Sequence, residues 1–221
     1  LSELGLPLAT EALSPFMMDY LGDLVSWTAI GARTTESQIH REMVSGLPMP
    51  TGFKNGTNGN TKIAIDAMVS AAHSHCFPGI DMDGRAIVCT TSGNPHTHVI
   101  LRGGTDGPNY GREHVEALVA DLASLPASMN RAIIVDCSHG NSGKDYRNQH
   151  IPFHNTIELR TSGKVEIKGV MLESNLVEGK QKLVVNNGHH NKLKYGVSIT
   201  DSCISMEETV VLVMEAYHKL P

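Results

Sequence analysis

The chain has 221 residues, 40% of them hydrophobic and 19% charged, with 18 basic against 23 acidic side chains and a net charge of −5. That is the make-up of a soluble globular protein large enough to bury a core, and it excludes disordered and fibrous classes. The acidic balance argues against a nucleic-acid binder, and with no run of about 18 apolar residues no membrane span is expected.

The opening LSELGLPLAT has neither a charged start nor an apolar centre, so it does not read as a signal peptide. A short apolar run at 6–9 is the first strand candidate, followed by β-branched or apolar runs at 28–32 and 51–53. Between these two, 35–45 opens with Thr and Glu and stops at Gly46, a helix start-and-stop pattern. Residues 61–72 place Ile63, Ala67, Met68 and Ala71 at helical spacing. HCFPGIDMDG then reads as a turn, with 86–91 part of a surface hairpin. Strands follow at 98–101 and 132–135, flanking an amphipathic helix at 111–125. A crossover helix is due over 150–168, yet HIPFHNTIELRTSGKVEIK carries few helix signals. Strands at 168–172 and 196–199 and a helix at 205–220 complete the chain. Strands alternating with helices predict a parallel sheet with crossover helices.

Four cysteines (Cys76, Cys89, Cys137, Cys203) are widely spaced and form no C-x-x-C pair. Neither a Cys-rich zinc site nor a disulfide scaffold is expected, and a reducing cytosol fits. There are 12 histidines, so a single His is a weak ligand candidate unless its context adds something.

The residues just after the predicted strands supply that context. AIGA runs into Arg33, PTGF into Lys54, HVIL into Arg102, IIVDCS into His139, GVML into Glu173 and VSIT into Asp201. In a (β/α)8 barrel such strand ends converge on one mouth, whereas in an open sheet they spread along an edge. One such polar end is what any loop produces, but six in succession point to a site. The signs are ordered too. Arg33, Lys54 and Arg102 suit an anion such as phosphate or carboxylate. His139, Glu173 and Asp201 form a credible set for a divalent metal; without convergence, His139 would cap its loop and the carboxylates would pair with the cations. Gly103 and Gly104 let backbone approach a phosphate. KNGTNGN, after Lys54, serves an anion or makes a plain turn.

GARTTESQIHRE, GFKNGTNG, HVILRGG, VDCSHGNSGKDYRNQ, GVMLESNLVEG and YGVSITDSC, in this order, resemble the metal-dependent class I 3-deoxy-D-arabino-heptulosonate-7-phosphate (DAHP) synthases, also called phospho-2-dehydro-3-deoxyheptonate aldolases. The resemblance runs over nearly the whole chain. It implies an α/β fold, a TIM (β/α)8 barrel of the class I aldolase type. It also implies a transferase that condenses phosphoenolpyruvate with erythrose 4-phosphate and releases phosphate, the first step of the shikimate route to aromatic amino acids. Arg33, Lys54 and Arg102 match the phosphoenolpyruvate-binding cations, and Glu11 in LATEAL matches a carboxylate close to that substrate. His139, Glu173 and Asp201 match metal ligands, with Asp201 also at the substrate; Lys54, Arg33 and His139 are the expected catalytic groups. The implied cofactor is a divalent ion (Mn, Fe, Co or Zn). An aromatic amino acid is the implied effector, and 45–50 matches a region that the family uses to discriminate effectors. By analogy the enzyme is cytoplasmic and homo-oligomeric.

The chain also departs from the family. The GPCS-type motif carrying a fourth, Cys metal ligand is missing, as is the second-strand motif with further substrate cations. The match begins at the third barrel strand, 6–9. Residues 1–221 are therefore expected to form a single partial barrel domain without its first two strand–helix units, since a whole barrel takes about 250 residues. On this reading the chain, which begins with Leu, is a C-terminal fragment, and alone it should be much less active than the complete protein. The competing expectation is a non-catalytic fragment or subunit that binds phosphorylated metabolites or assembles with a partner through open sheet edges. A related phosphoenolpyruvate-using sugar-phosphate synthase is disfavoured by the long SHGNSGKDYRNQ run.

Overall fold

A computed structural model describes residues 1–81, 83–186, 189–190 and 192–220. The chain divides into two compact units, residues 1–101 with 116–134, and 102–115 with 135–221.

The first unit is built on parallel strands. β1 (Ala9–Glu11) pairs with β2 (Trp27–Ile30), separated in sequence by the short helix α1 (Met17–Leu21). After α2 (Gln38–Gly46), β3 (Thr51–Lys54) pairs with β2. After α3 (Lys62–Ala71), an antiparallel hairpin of β4 (Cys76–Ile80) and β5 (Ala86–Thr90) stands apart as its own two-stranded sheet. β6 (His98–Leu101) then returns to pair with β3, and the register sets Lys54 opposite Ile100. After α4 (Arg112–Ala123), β7 (Ile133–Asp136) lies next to β6. Every residue of β3 and β6 is buried. Continuous burial, not alternation, marks strands covered on both faces, as parallel crossover folds require.

β7 carries the chain into the second unit, where it neighbours β8 (Ile167–Met171). Between them runs α5 (His150–Thr161). β9 (Val185–Asn186) and β10 (His189–His190) form a small antiparallel pair, and α6 (Met206–Lys219) closes the unit. Ser205 caps α6: its Oγ accepts the Glu208 N–H at 3.1 Å, an S-x-x-E start. Cys137, Phe153, Ile157, Ile204 and Leu212 form the core of this unit.

The α/β reading with parallel strands holds. Several expected boundaries move. The first strand is Ala9–Glu11 rather than 6–9, so Glu11 sits on the strand itself. α2 starts at Gln38 because Thr35 is taken by the strand ends: its buried Oγ1 donates to the carbonyls of Lys54 and Gly31, at 2.8 and 3.0 Å. The hairpin expected at 86–91 is present, while Met82 of its turn lies outside the described residues. The stretch with few helix signals contains α5. Pro152 is tolerated there because it sits in the first turn, and Thr156 interrupts the apolar pattern while returning its hydroxyl to the Pro152 carbonyl at 2.7 Å.

The strand expected at 196–199 does not form. Gly196 takes φ +77 in a turn, and Ser198 makes one isolated bridge to Lys180. The Gln181 amide donates to the carbonyls of Lys194 and Val197 at 2.7 and 2.8 Å, holding this loop by side chain rather than by a ladder.

Candidate metal centre and anion-binding strand ends

In the second unit, His139 follows β7 by three residues and Glu173 follows β8 by two. Asp201 stands in a bend, not at a strand end. The three nevertheless converge: one ligand atom from each lies within 4.8 Å of the others. His139 Nε2 is 3.5 Å from Glu173 Oε1. One imidazole nitrogen and two carboxylate oxygens gathered so closely are a donor set for a divalent cation, and the two carboxylates repel each other unless a cation lies between them. Burial pushes the Glu173 carboxyl above its ordinary range, and Asp201 and Asp136 add to the rise; His139 and a Ser138 hydrogen bond oppose it.

These ligand candidates are held from behind. His139 has φ +52, a strained backbone for a non-glycine residue, fixed by a bond of 2.7 Å from the Lys144 N–H to its carbonyl. Its Nδ1 lies 2.9 Å from Oδ2 of Asp136, the last residue of β7, at an angle outside that of a hydrogen bond. Asp136 Oδ1 accepts the Ser138 N–H at 3.0 Å. Ser138 Oγ donates to Glu173 Oε2 at 2.9 Å. The wholly buried Gln149 grips the backbone of Glu173 twice: its Nε2 donates to the Glu173 carbonyl at 3.0 Å and its Oε1 accepts the Glu173 N–H at 2.8 Å.

Arg102 stands in the same unit. Its carbonyl accepts the N–H groups of Gly140 and Asn141, at 2.9 and 3.2 Å, in the His139 loop. That approach needs glycine. Gly103 has φ +68, and a Cβ there would come within 2.5 Å of the Gly140 carbonyl carbon. Asn109 and Asn141 complete the brace, accepting the Gly103 and Asn109 N–H groups at 2.7 and 2.9 Å.

In the first unit the neighbouring strands β1, β2 and β3 bring Glu11, Arg33 and Lys54 to one end of the sheet. Lys54 is the buried last residue of β3. Arg33 is exposed in the turn after β2. The Glu11 carboxylate lies over Gly31, where any side chain would collide with it. This gives two cations and a carboxylate on adjacent parallel strand ends.

The first unit also holds a cleft of about 810 Å³, within the size range of small-molecule sites. Phe16, Ile39, Met43 and Leu47 line one side, and Phe77 and Ile87 of the hairpin the other. All four cysteines are free thiols. Burial, reinforced by Asp136, pushes the Cys137 thiol far up, so the cysteine nearest His139 in sequence stays protonated and unsuited to ligation.

A family model described as the DAHP synthetase I family matches residues 1–214. The chain belongs to that family. The Tyr-sensitive phospho-2-dehydro-3-deoxyheptonate aldolase of Salmonella typhimurium is 50% identical over 220 residues, covering 100% of this chain and 60% of that protein. The tyrosine-inhibited enzyme of Schizosaccharomyces pombe is 48% identical over 205 residues, covering 93% of this chain and 55% of that one. Among solved structures, the phospho-2-dehydro-3-deoxyheptonate aldolase of Francisella tularensis superposes with a TM-score of 0.91 at 42% identity, over 99% of this chain and 62% of its own. This DAHP synthetase I family member thus spans about three fifths of the length of such relatives.

Strand ends in the sequence point to His139, Glu173 and Asp201 but not to the residues that hold them. Asp136, Ser138 and Gln149 all lie within VDCSHGNSGKDYRNQ, where nothing in the sequence alone gives them a role. The i, i+3 spacing of Asp136 and His139 was the available signal. The hairpin side of the cleft has none, because the sequence of β4 (Cys76–Ile80) reads as a turn, although it forms a strand, and β5 reads only as part of a surface hairpin.

Proposed function

We propose that the protein is a DAHP synthase: it condenses phosphoenolpyruvate with erythrose 4-phosphate and releases phosphate, the opening reaction of aromatic amino-acid biosynthesis. The observation that carries the reading is the convergence of His139, Glu173 and Asp201 in a chain of this family. These three would hold a divalent ion (Mn, Fe, Co or Zn), which when bound supplies Lewis acidity to the aldehyde oxygen. Arg33, Lys54 and Arg102 bind the phosphate and carboxylate of phosphoenolpyruvate, and Glu11 borders that substrate. Arg33 offers a planar fork of donors, and Lys54 a charge already stripped of most of its water. Fixed cations of this kind align the enol phosphate and neutralise the departing phosphate without reorganising solvent. His139 is counted with Arg33 and Lys54 among the catalytic groups, and Asp201 also borders the substrate. The fold reading that goes with this activity is one catalytic domain, residues 1–221, contributing six of the eight strands of a (β/α)8 barrel, in a cytoplasmic homo-oligomer.

The cleft in the first unit is the proposed effector site for an aromatic amino acid. Its apolar lining suits an aromatic ring, Asp19 and His40 on its wall offer polar partners, and Gly46 and Leu47 come from the segment matching the family's effector region. The relatives named Tyr-sensitive and tyrosine-inhibited make tyrosine the first amino acid to test.

Phosphate release with Mn2+ and both substrates tests the catalytic reading. Release should require the aldehyde and the metal, and Lys54→Ala should abolish it. Release without the aldehyde, or none from either this chain or the complete protein, contradicts the proposal.

A further inference from the structure

We propose that Asp136 is a positioning residue that selects the tautomer of His139, and thereby makes Nε2 the nitrogen that faces the metal. The inference rests on the reading of His139 as a ligand. A neutral imidazole carries one N–H and one lone pair, so a proton on Nδ1 leaves Nε2 free to ligate. Asp136 Oδ2 stands 2.9 Å from Nδ1, and Asp136 is 2% exposed. At that distance in a buried setting a carboxylate attracts an N–H and repels a lone pair, whether or not the angle is ideal. Nε2, on the other side of the ring, is the nitrogen 3.5 Å from Glu173 Oε1. The carboxylate cannot turn away freely, because its Oδ1 accepts the Ser138 N–H at 3.0 Å. The carbonyl of the same residue accepts from Asn141 Nδ2 at 2.8 Å, fixing the backbone from which the side chain projects. A carboxylate behind a histidine ligand is a recurrent arrangement, and losing one typically weakens metal binding 10–100-fold.

Asp136→Asn makes the test sharp because it keeps the shape. The Ser138 N–H holds the amide oxygen in the Oδ1 position, since the reverse orientation sets donor against donor. The NH2 group must then face His139 Nδ1. It offers a donor where the carboxylate offered an acceptor, so Nδ1 becomes the acceptor and the proton moves to Nε2. A buried Asp-to-Asn change behind a catalytic histidine elsewhere gives this wrong-tautomer result with the geometry intact.

The readout that needs no metal is the pair of ring ¹⁵N shifts of His139 at pH 8, its signals identified by their loss in His139→Gln. The wild type is expected to carry the proton on Nδ1 and Asp136→Asn on Nε2. Mn2+ affinity of the same proteins should fall about 10–100-fold in Asp136→Asn, while Asp136→Glu, which keeps the acceptor, should recover part of it. If both proteins show the same tautomer, the inference is overturned whatever the metal does. If the tautomer switches and Mn2+ affinity is unchanged, Asp136 does not position a ligand and the inference again falls. A wild type that binds no Mn2+ defeats the metal reading itself, and with it this proposal, while a recorded tautomer switch shows that the failure lay in the ligand assignment.

Discussion

Acidification should destabilise the first unit through one residue, His98. It is 3% exposed in β6, and burial lowers its pKa from 6.5 to about 4, only partly opposed by its bond to the His96 carbonyl. It is held as the neutral ring: its Nε2 accepts the Trp27 indole N–H at 2.9 Å. Because the folded value lies below the unfolded one, the unfolded chain takes up the proton first. Stability is complete above about pH 6.5, declines as the pH falls from 6.5 towards 4, and levels off below. At 1.36 kcal/mol per unit, the full loss is about 3 kcal/mol, of which about 2 kcal/mol has gone by pH 5. Urea unfolding at pH 8 and pH 5, followed by the fluorescence of Trp27, the single tryptophan, measures it at the contact concerned. His98→Gln keeps an acceptor for the indole and removes the titration. The wild type should therefore lose about 2 kcal/mol more than His98→Gln between the two pH values. Equal losses would refute the argument.

Gln149→Ala takes the acceptor from the Glu173 N–H, while the Glu173 carbonyl keeps the Ile204 N–H at 2.9 Å. At about 1–3 kcal/mol for one orphaned group, urea unfolding should show a loss of about 1–3 kcal/mol, and Mn2+ affinity should fall with it. Gly103→Ala and Gly143→Ala both force a positive φ, +68 and +64, but a Cβ at 143 meets nothing within 4 Å whereas at 103 it meets backbone. Gly143→Ala should cost about 1–2 kcal/mol and Gly103→Ala clearly more in the same denaturation assay. Equal costs would mean that the close approach beside Arg102 has no energetic weight. Leu47→Arg should abolish tyrosine binding by calorimetry without altering Mn2+ affinity.

The sequence made the parallel-strand core legible because its strands are buried on both faces: TGFK and HVIL have little else to be. The trio of candidate ligands is legible for a different reason, since polar groups at strand ends stand out against apolar runs. Asp201 shows the limit of that logic. It joins the trio, yet 196–199 is a loop held by Gln181, so the strand that points to Asp201 in the sequence does not form. α5 was obscured because Pro152 and Thr156 dilute its buried face, and their compatibility with a helix depends on position within the turn. The supports behind the site, Asp136, Ser138 and Gln149, are ordinary polar residues in sequence. They become informative only once tertiary structure sets Gln149 against a backbone 24 residues away.

His139, Glu173 and Asp201 are proposed to hold one divalent ion. Titration of the metal-free chain with Mn2+, followed by the loss of its free-ion EPR signal, tests it directly. One tight equivalent per chain is expected, with His139→Ala, Glu173→Gln and Asp201→Asn each weakening it by more than about 100-fold, beyond the range typical of residues behind the ligands. No tight equivalent in the wild type, or binding indifferent to all three substitutions, would contradict it.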